Sequence, residues 1–156
     1  MSRLMFAAVF AVTVVAAGRP AYADLSRGVI SAFRGQLVVS KDELPEGKND
    51  ADTIKKIKGA QLKELTGTAN EDVTYWHFHY TAFLKQSGAT ALKMEFMNGK
   101  QLAADQRLDS VDPKSSVLSG DISINEDEGL AKGKTYTIQL VNGKDQVVSS
   151  ATLVMK

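Results

Sequence analysis

The sequence predicts a mainly β protein, built as a two-sheet antiparallel sandwich with one short helix. At least six segments alternate apolar and polar residues at a period of two, and turn residues separate them at regular intervals. Only one segment spaces its apolar residues as a helix does. Such patterns are typical of two antiparallel sheets packed face to face. The chain has no cysteine, so the fold must be stabilised without disulfides.

Residues 1–23 have the pattern of a signal peptide. Arg3 supplies a positive charge, and the apolar run Leu4–Ala17 is too short to span a bilayer comfortably. An Ala-Tyr-Ala sequence then offers the small residues that a signal peptidase reads. We therefore predict cleavage before Asp24. The mature protein is then one domain, residues 24–156, which is periplasmic or secreted and has no membrane span.

An N-terminal membrane anchor is the alternative interpretation of the same segment. Gly18 and Pro20 disfavour it, because they break a helix at the point where an anchor would need to continue. A lipid anchor is excluded for a different reason, since lipidation of an exported bacterial protein needs a cysteine.

The mature domain is almost neutral. Residues 1–23 carry two of the 19 basic residues and none of the 18 acidic ones, so the remaining 17 basic and 18 acidic residues give a formal charge of −1. General nucleic-acid and anionic-membrane binders usually carry a basic surplus. We therefore expect no nucleic-acid partner, and we expect the partner to be an envelope or extracellular protein or a glycan.

The segment Val73–Lys85 is predicted to be the central strand. It contains the only tryptophan and both histidines of the chain. Read at a period of two, it has one core face and one mixed face. The core face carries Trp76, Phe78, Tyr80, Ala82 and Leu84, and the mixed face carries Val73, Tyr75, His77, His79, Thr81 and Phe83. A strand of this kind is typically packed on one side and partly wet on the other.

The first part of the mature domain combines a strand and the predicted helix. We predict a strand over Phe33–Ser40 and a helix from about Ala51 to Lys58, with Asn49 and the acidic residues after it near the helix N-terminus. Gln61–Thr66 fits either a continuation of the helix or a strand. The segment Asp24–Arg34 favours neither a helix nor a strand.

A hairpin is predicted to follow the strand Ala91–Met97. A two-residue loop would set the apolar face of this strand against polar residues of the next one. We therefore predict a three-residue loop, Met97–Gly99, with Gly99 in the left-handed conformation and Met94 opposite Leu102.

Leu130–Tyr136 carries a family resemblance. It has a leucine, two residues, a glycine, two residues and a tyrosine at the start of the penultimate predicted strand. This arrangement resembles the tyrosine corner of fibronectin type III and other immunoglobulin-like sandwiches, and Trp76 is placed similarly to their core tryptophan. The resemblance implies an immunoglobulin-like sandwich whose Tyr136 hydroxyl bonds to the backbone around residues 130–132. The whole chain is also similar to small uncharacterised exported bacterial proteins. This similarity does not point to any particular activity.

His77 and His79 are the candidate metal ligands. Residues two apart on a strand point to the same side, so both imidazoles could reach one Zn²⁺ or Cu²⁺ ion. A neighbouring strand would have to supply a third ligand. The alternative is a pair of half-exposed strand histidines that bind nothing.

The acidic turn Asn125–Gly129 offers the oxygen ligands that calcium prefers. When Ser123, Asn125 and Asp127 are aligned with the first three EF-hand ligands, however, Glu128 falls where the template requires glycine. A solvated turn is therefore the expected state of this segment.

The sequence contains no recognisable catalytic set. It has no cysteine, no Gly-x-Ser-x-Gly elbow and no glycine-rich phosphate loop. We therefore expect an exported, non-enzymatic binding or envelope-accessory module that requires no cofactor. The alternative is a metal-binding protein that uses His77 and His79. A small hydrolase acting on an envelope polymer is a third hypothesis, which a pocket with converging carboxylates would support.

Overall fold

The computed structural model describes residues 25–86, 88, 90–108 and 111–156. The predicted signal peptide and its cleavage site before Asp24 lie outside these residues. The described elements, in chain order, are α1 (Arg27–Ala32), β1 (Leu37–Ser40), α2 (Asp50–Ala60), β2 (Glu64–Leu65), β3 (Thr68–Asn70), β4 (Val73–Phe83), β5 (Leu92–Asn98), β6 (Gln101–Leu108), β7 (Val117–Asn125), a 3-10 helix (Glu126–Glu128), β8 (Lys134–Val141) and β9 (Val147–Met155).

The strands form two sheets, which confirms the predicted mainly β sandwich. In the first sheet, β4 lies between β7 on one edge and β1 and β3 on the other, and all three neighbours are antiparallel to it. The second sheet has the order β2-β9-β8-β5-β6. Its pairs are antiparallel except for β2, which runs parallel to β9. The segment that fitted either helix or strand therefore contributes the short strand β2.

The main core lies between the two sheets and is centred on β4. Trp76 and Phe78 of β4 are buried, as are Phe96 of β5 and Tyr136 of β8. The rings of Phe78 and Phe96 meet edge to face across the sandwich, with their centroids 6.4 Å apart. All five residues predicted for the core face of β4 are buried, so its strand periodicity was interpreted correctly.

A second, smaller core covers one end of the opposite surface of the first sheet, called here the outer face. Helices α1 and α2 pack there over Phe83, whose ring centroid lies 5.1 Å from that of Phe33. The predicted helix is α2, and the Oδ1 atom of Asn49 caps it by accepting from the amide of Asp52 over 2.9 Å. The ambiguous segment before Phe33 forms α1. In none of the described ranges is there a helix both long enough and apolar enough to cross a membrane.

The β5–β6 hairpin differs from the prediction in its register. Gly99 is left-handed as predicted, with a φ of 63°, but it lies in a two-residue turn. This turn and one extra residue in β6 together place Met94 opposite Gln106 rather than Leu102. The extra residue is Ala103, which forms a bulge inside β6. Because β6 is an edge strand, this bulge disturbs the pairing with one neighbour only.

Candidate functional site

The outer face of β4 is covered at one end and open at the other. Thr81 and Phe83 are fully buried, and Phe83 packs beneath the helical layer. Tyr75, at the other end, is half-buried, and His77 is exposed. The mixed face predicted for this strand therefore consists of a packed half and an open half.

The unequal lengths of the neighbouring strands produce this difference. Strand β7 pairs with β4 along its length, from Tyr75 to Phe83. Strand β1 pairs with only four residues of β4 and ends with Ser40 opposite His79. On that edge, β3 pairs only with residues 73–75, so His77 lies between the ends of β1 and β3. The outer face opens at this gap.

His79 is a packed histidine with a carboxylate partner. Its residue is 6 % exposed, and its Nδ1 atom lies 2.9 Å from Oδ1 of Asp121, its cross-strand partner on β7. The Asp121 side chain itself is 87 % exposed. The prediction that both histidines are half-exposed is therefore wrong for His79, because the end of β1 and the β7 strand flank it on both sides.

The metal hypothesis needs three ligands at one point. His77 and His79 share the outer face as predicted, and Asp121 is the nearest carboxylate on a neighbouring strand. Within the described part of the chain, however, no group of three or more histidine, aspartate or glutamate side chains is placed to hold a metal ion. Asp121 instead contacts the His79 ring, as carboxylates do when they orient a histidine. Metal binding by His77 and His79 stays a prediction.

A pocket of about 220 Å³ opens on the outer face beside His77. Strands β4 and β7 form it together with the residue that follows β1. Its lining consists of Lys41, His77, Phe78, Asp121, Ile122 and Ser123. Ser123 lies directly opposite His77 in the β4–β7 pair. The pocket therefore combines one ammonium group, one carboxylate, an imidazole and a hydroxyl in a small space.

The contact between Asp121 and His79 restrains one of the polar side chains that line this pocket. A carboxylate on an exposed strand position is normally free to rotate. Here Oδ1 of Asp121 is bonded to a histidine ring that is itself packed. The second carboxylate oxygen, Oδ2, is not used in that contact and is available to accept hydrogen bonds.

The acidic turn after β7 has a structural role that its sequence did not reveal. Oε2 of Glu126 accepts from the Thr74 amide over 2.8 Å, and Oε2 of Glu128 accepts from the Asn125 amide over 2.9 Å. Oδ1 of Asn125 accepts from the Asp127 amide, also over 2.9 Å. These side chains terminate β7 and connect it to the start of β4, where Thr74 lies beyond the last residue that pairs with β7 and is paired only with β3.

Sequence reasoning did not identify Lys41, Asp121 or Ser123 as residues of this pocket, although Ser123 was considered as a calcium ligand. Alternation with the buried residues Ile122 and Ile124 places Asp121 and Ser123 on the outer face, so this part of the signal was present. Their positions beside His79 and His77 required the β4–β7 register. Lys41 lies in a loop and has no periodic pattern that could have identified it.

Comparison with known proteins adds no family to this description. A scan against protein-family models finds no match, and a search of curated proteins finds no matching sequence.

Proposed function

We propose that this protein is a non-enzymatic binding module that works outside the cytosol and holds its ligand on the open half of the outer face. The contrast along β4 carries the proposal. Phe83 is buried under the helical layer, whereas His77 is exposed beside a polar pocket. Since the open half takes no part in either core, it can accommodate a ligand without disturbing the fold.

The site chemistry supports binding in preference to a reaction. The pocket walls offer hydrogen-bond donors and acceptors in a small concave space, as binding sites do. Asp121 is the one carboxylate among the lining residues. The hydrolase hypothesis calls for two converging carboxylates, and this pocket does not supply them.

The location proposed for the protein rests on its sequence. A charged residue, an apolar run of limited length and an Ala-Tyr-Ala sequence in residues 1–23 favour export to the periplasm or the medium. The ligand is accordingly an envelope or extracellular protein or a glycan.

We also propose that the sandwich is immunoglobulin-like. The Tyr136 hydroxyl accepts a hydrogen bond from the Ala131 amide, within the backbone range that the tyrosine-corner resemblance implies. Trp76 is fully buried between the sheets. These two features support the resemblance, and they concern the fold alone, since a fold of this kind hosts many functions.

An affinity experiment tests the binding function. The exported protein is immobilised and exposed to solubilised envelope proteins and glycans, together with two variants. Ser123→Arg fills the pocket with a long side chain, whereas Thr152→Arg makes the same change at an exposed position of β9 on the second sheet. We expect a component that the wild type and Thr152→Arg retain and Ser123→Arg loses. Retention of nothing, or equal retention by both variants, would contradict the proposal.

A further inference from the structure

We infer that the pocket beside His77 binds an uncharged sugar residue of a glycan. This inference rests on the proposed binding function and names the chemical class of its ligand. Three features of the pocket carry it, namely the balance of its charges, the mixture of its hydrogen-bonding groups and its size.

The two charges of the pocket oppose each other. Lys41 attracts an anion, whereas Asp121 repels it. A cation is attracted by Asp121 and repelled by Lys41. Exposed ion pairs contribute little to affinity and are screened by salt. Neither an anionic nor a cationic ligand is therefore favoured. A neutral ligand, in contrast, can use both groups as hydrogen-bond partners.

The polar groups of the pocket match a ligand with several hydroxyls. An ammonium group only donates, a carboxylate only accepts, and imidazole and hydroxyl groups can do both. Lys41, Asp121, His77 and Ser123 supply one group of each kind. A sugar hydroxyl both donates and accepts, so adjacent hydroxyls can bond to Asp121 and Lys41 together. The His79 contact restrains the Asp121 carboxylate through one of its oxygens, which reduces the entropic cost of binding.

The pocket is small enough to suit a ligand of about one ring, and an aromatic side chain lies near it on the same face. Its volume of about 220 Å³ is below the range of roughly 300–1,000 Å³ typical of pockets for drug-sized ligands. Tyr75 lies two residues before His77 on the same face of β4, roughly 7 Å away along the strand. Its half-buried ring is amphipathic, with an apolar surface that the C–H groups of a sugar can contact.

Nuclear magnetic resonance titration of the exported protein tests the ligand class. The probes are N-acetylglucosamine and glucose as neutral sugars, inorganic phosphate as an anion and alanine as a zwitterion. We expect saturable amide shifts at residues 77 and 121–123 with a sugar at millimolar concentration, largely unchanged by added salt. Ser123→Ala should weaken binding about fivefold, as expected for one lost hydrogen bond. Thr152→Ala should leave it unchanged.

Three results would overturn the inference. The first is that phosphate alone shifts the amide signals of the pocket. The second is that alanine alone shifts them, in a salt-sensitive manner. The third is that no probe produces a shift localised to the pocket. The Arg variants described above separate this failure from failure of the binding function. If Ser123→Arg abolishes capture of an envelope component while neither sugar produces shifts, the binding function stands and the sugar assignment is wrong.

Discussion

The hydroxyl oxygen of Tyr136 accepts a hydrogen bond from the amide nitrogen of Ala131 over 2.8 Å. The tyrosine is 2 % exposed, so water cannot readily replace this contact. We expect Tyr136→Phe to destabilise the protein by about 1 to 3 kcal/mol, because it leaves a partly buried amide without its partner. Urea denaturation measures the change in the free energy of unfolding.

Tyr75→Phe is the matched control, since it removes the same atom from a half-buried ring on the outer face. It should change stability by less than Tyr136→Phe does. Equal losses in the two variants would show that the Tyr136 hydrogen bond has no special contribution.

Gly67 lies against the indole of Trp76. The Gly67 amide and the Trp76 Nε1 atom both donate to the main-chain oxygen of Lys156, over 2.6 and 3.1 Å. A Cβ atom at Gly67 would overlap the Thr74 side chain and lie 2.9 Å from Nε1 of Trp76. We expect Gly67→Ala to destabilise the protein by about 2 kcal/mol through overpacking. Urea denaturation followed by tryptophan fluorescence would detect this change.

Gly59→Ala makes the same substitution where space is open. Gly59 is exposed in α2, and a Cβ there would meet nothing within 4 Å. The change should stabilise the protein by about 0.5 to 1 kcal/mol, since alanine is the better helix former. If Gly59→Ala destabilised the protein as well, the loss in Gly67→Ala could not be attributed to overlap with Thr74 and Trp76.

Thr81 places a fully buried hydroxyl on the outer face of β4. The residue is fully buried, and in the described structure its Oγ1 atom makes no hydrogen bond. We expect Thr81→Val to stabilise the protein by about 1 kcal/mol, because it removes a desolvated polar atom at nearly constant volume. Thermal and urea unfolding should both show the increase.

Thr53 provides the opposite case in the same region of the fold. It is also buried, but its Oγ1 atom accepts from the Gly47 amide over 2.9 Å. Thr53→Val should therefore destabilise the protein by about 1 to 2 kcal/mol. If the two valine variants change stability in the same direction, side-chain burial rather than hydrogen bonding decides the outcome.

Glu95 makes stability depend on pH. The hydrogen bond from the Lys93 ammonium lowers the pKa of Glu95 below its ordinary value of 4.5, although burial opposes the shift. A carboxyl group with a lowered folded-state pKa stabilises the protein above its unfolded-state pKa. It loses that effect as the pH falls through the lowered value. We therefore expect the stability difference between the wild type and Glu95→Gln to shrink on acidification below 4.5.

The measurement is urea denaturation of both proteins from neutral to strongly acidic pH. Glu43→Gln, at an exposed position before α2, is the control and should differ little from the wild type throughout. A difference for Glu95→Gln that stays constant across the whole range would contradict the role of its ionised form.

The metal hypothesis makes a separate prediction. If His77 and His79 ligate one ion, calorimetric titration with Zn²⁺ or Cu²⁺ should give saturable heat at micromolar protein. His77→Ala should remove that heat, because one ligand is lost. Phe83→Leu, which changes a buried residue on the same face, should retain it. The absence of heat from the wild type would end the hypothesis.

The sequence alone determined features whose geometry is local. Strand alternation placed Trp76 and Phe78 in the core correctly, because successive side chains on a strand point to opposite faces whatever the strand pairs with. The contact between Tyr136 and Ala131 spans five residues and lies within the backbone range, 130–132, that the tyrosine-corner resemblance implied. The cap of α2 at Asn49 likewise depends on its immediate neighbours.

Only the tertiary structure decided which part of the outer face is open. Strand alternation places His77 and His79 on the same face and does not distinguish between them. In the structure, β1 ends opposite His79. Asp121, 42 residues further along the chain, contacts the His79 ring. The bulge at Ala103 and the meeting of Lys41 with residues of β7 also depend on distant segments. Cross-strand pairing joins parts of the chain that are far apart in sequence. Local alternation decides which face a side chain occupies, but registers that differ by two residues keep the same face, so the pattern alone cannot choose between them.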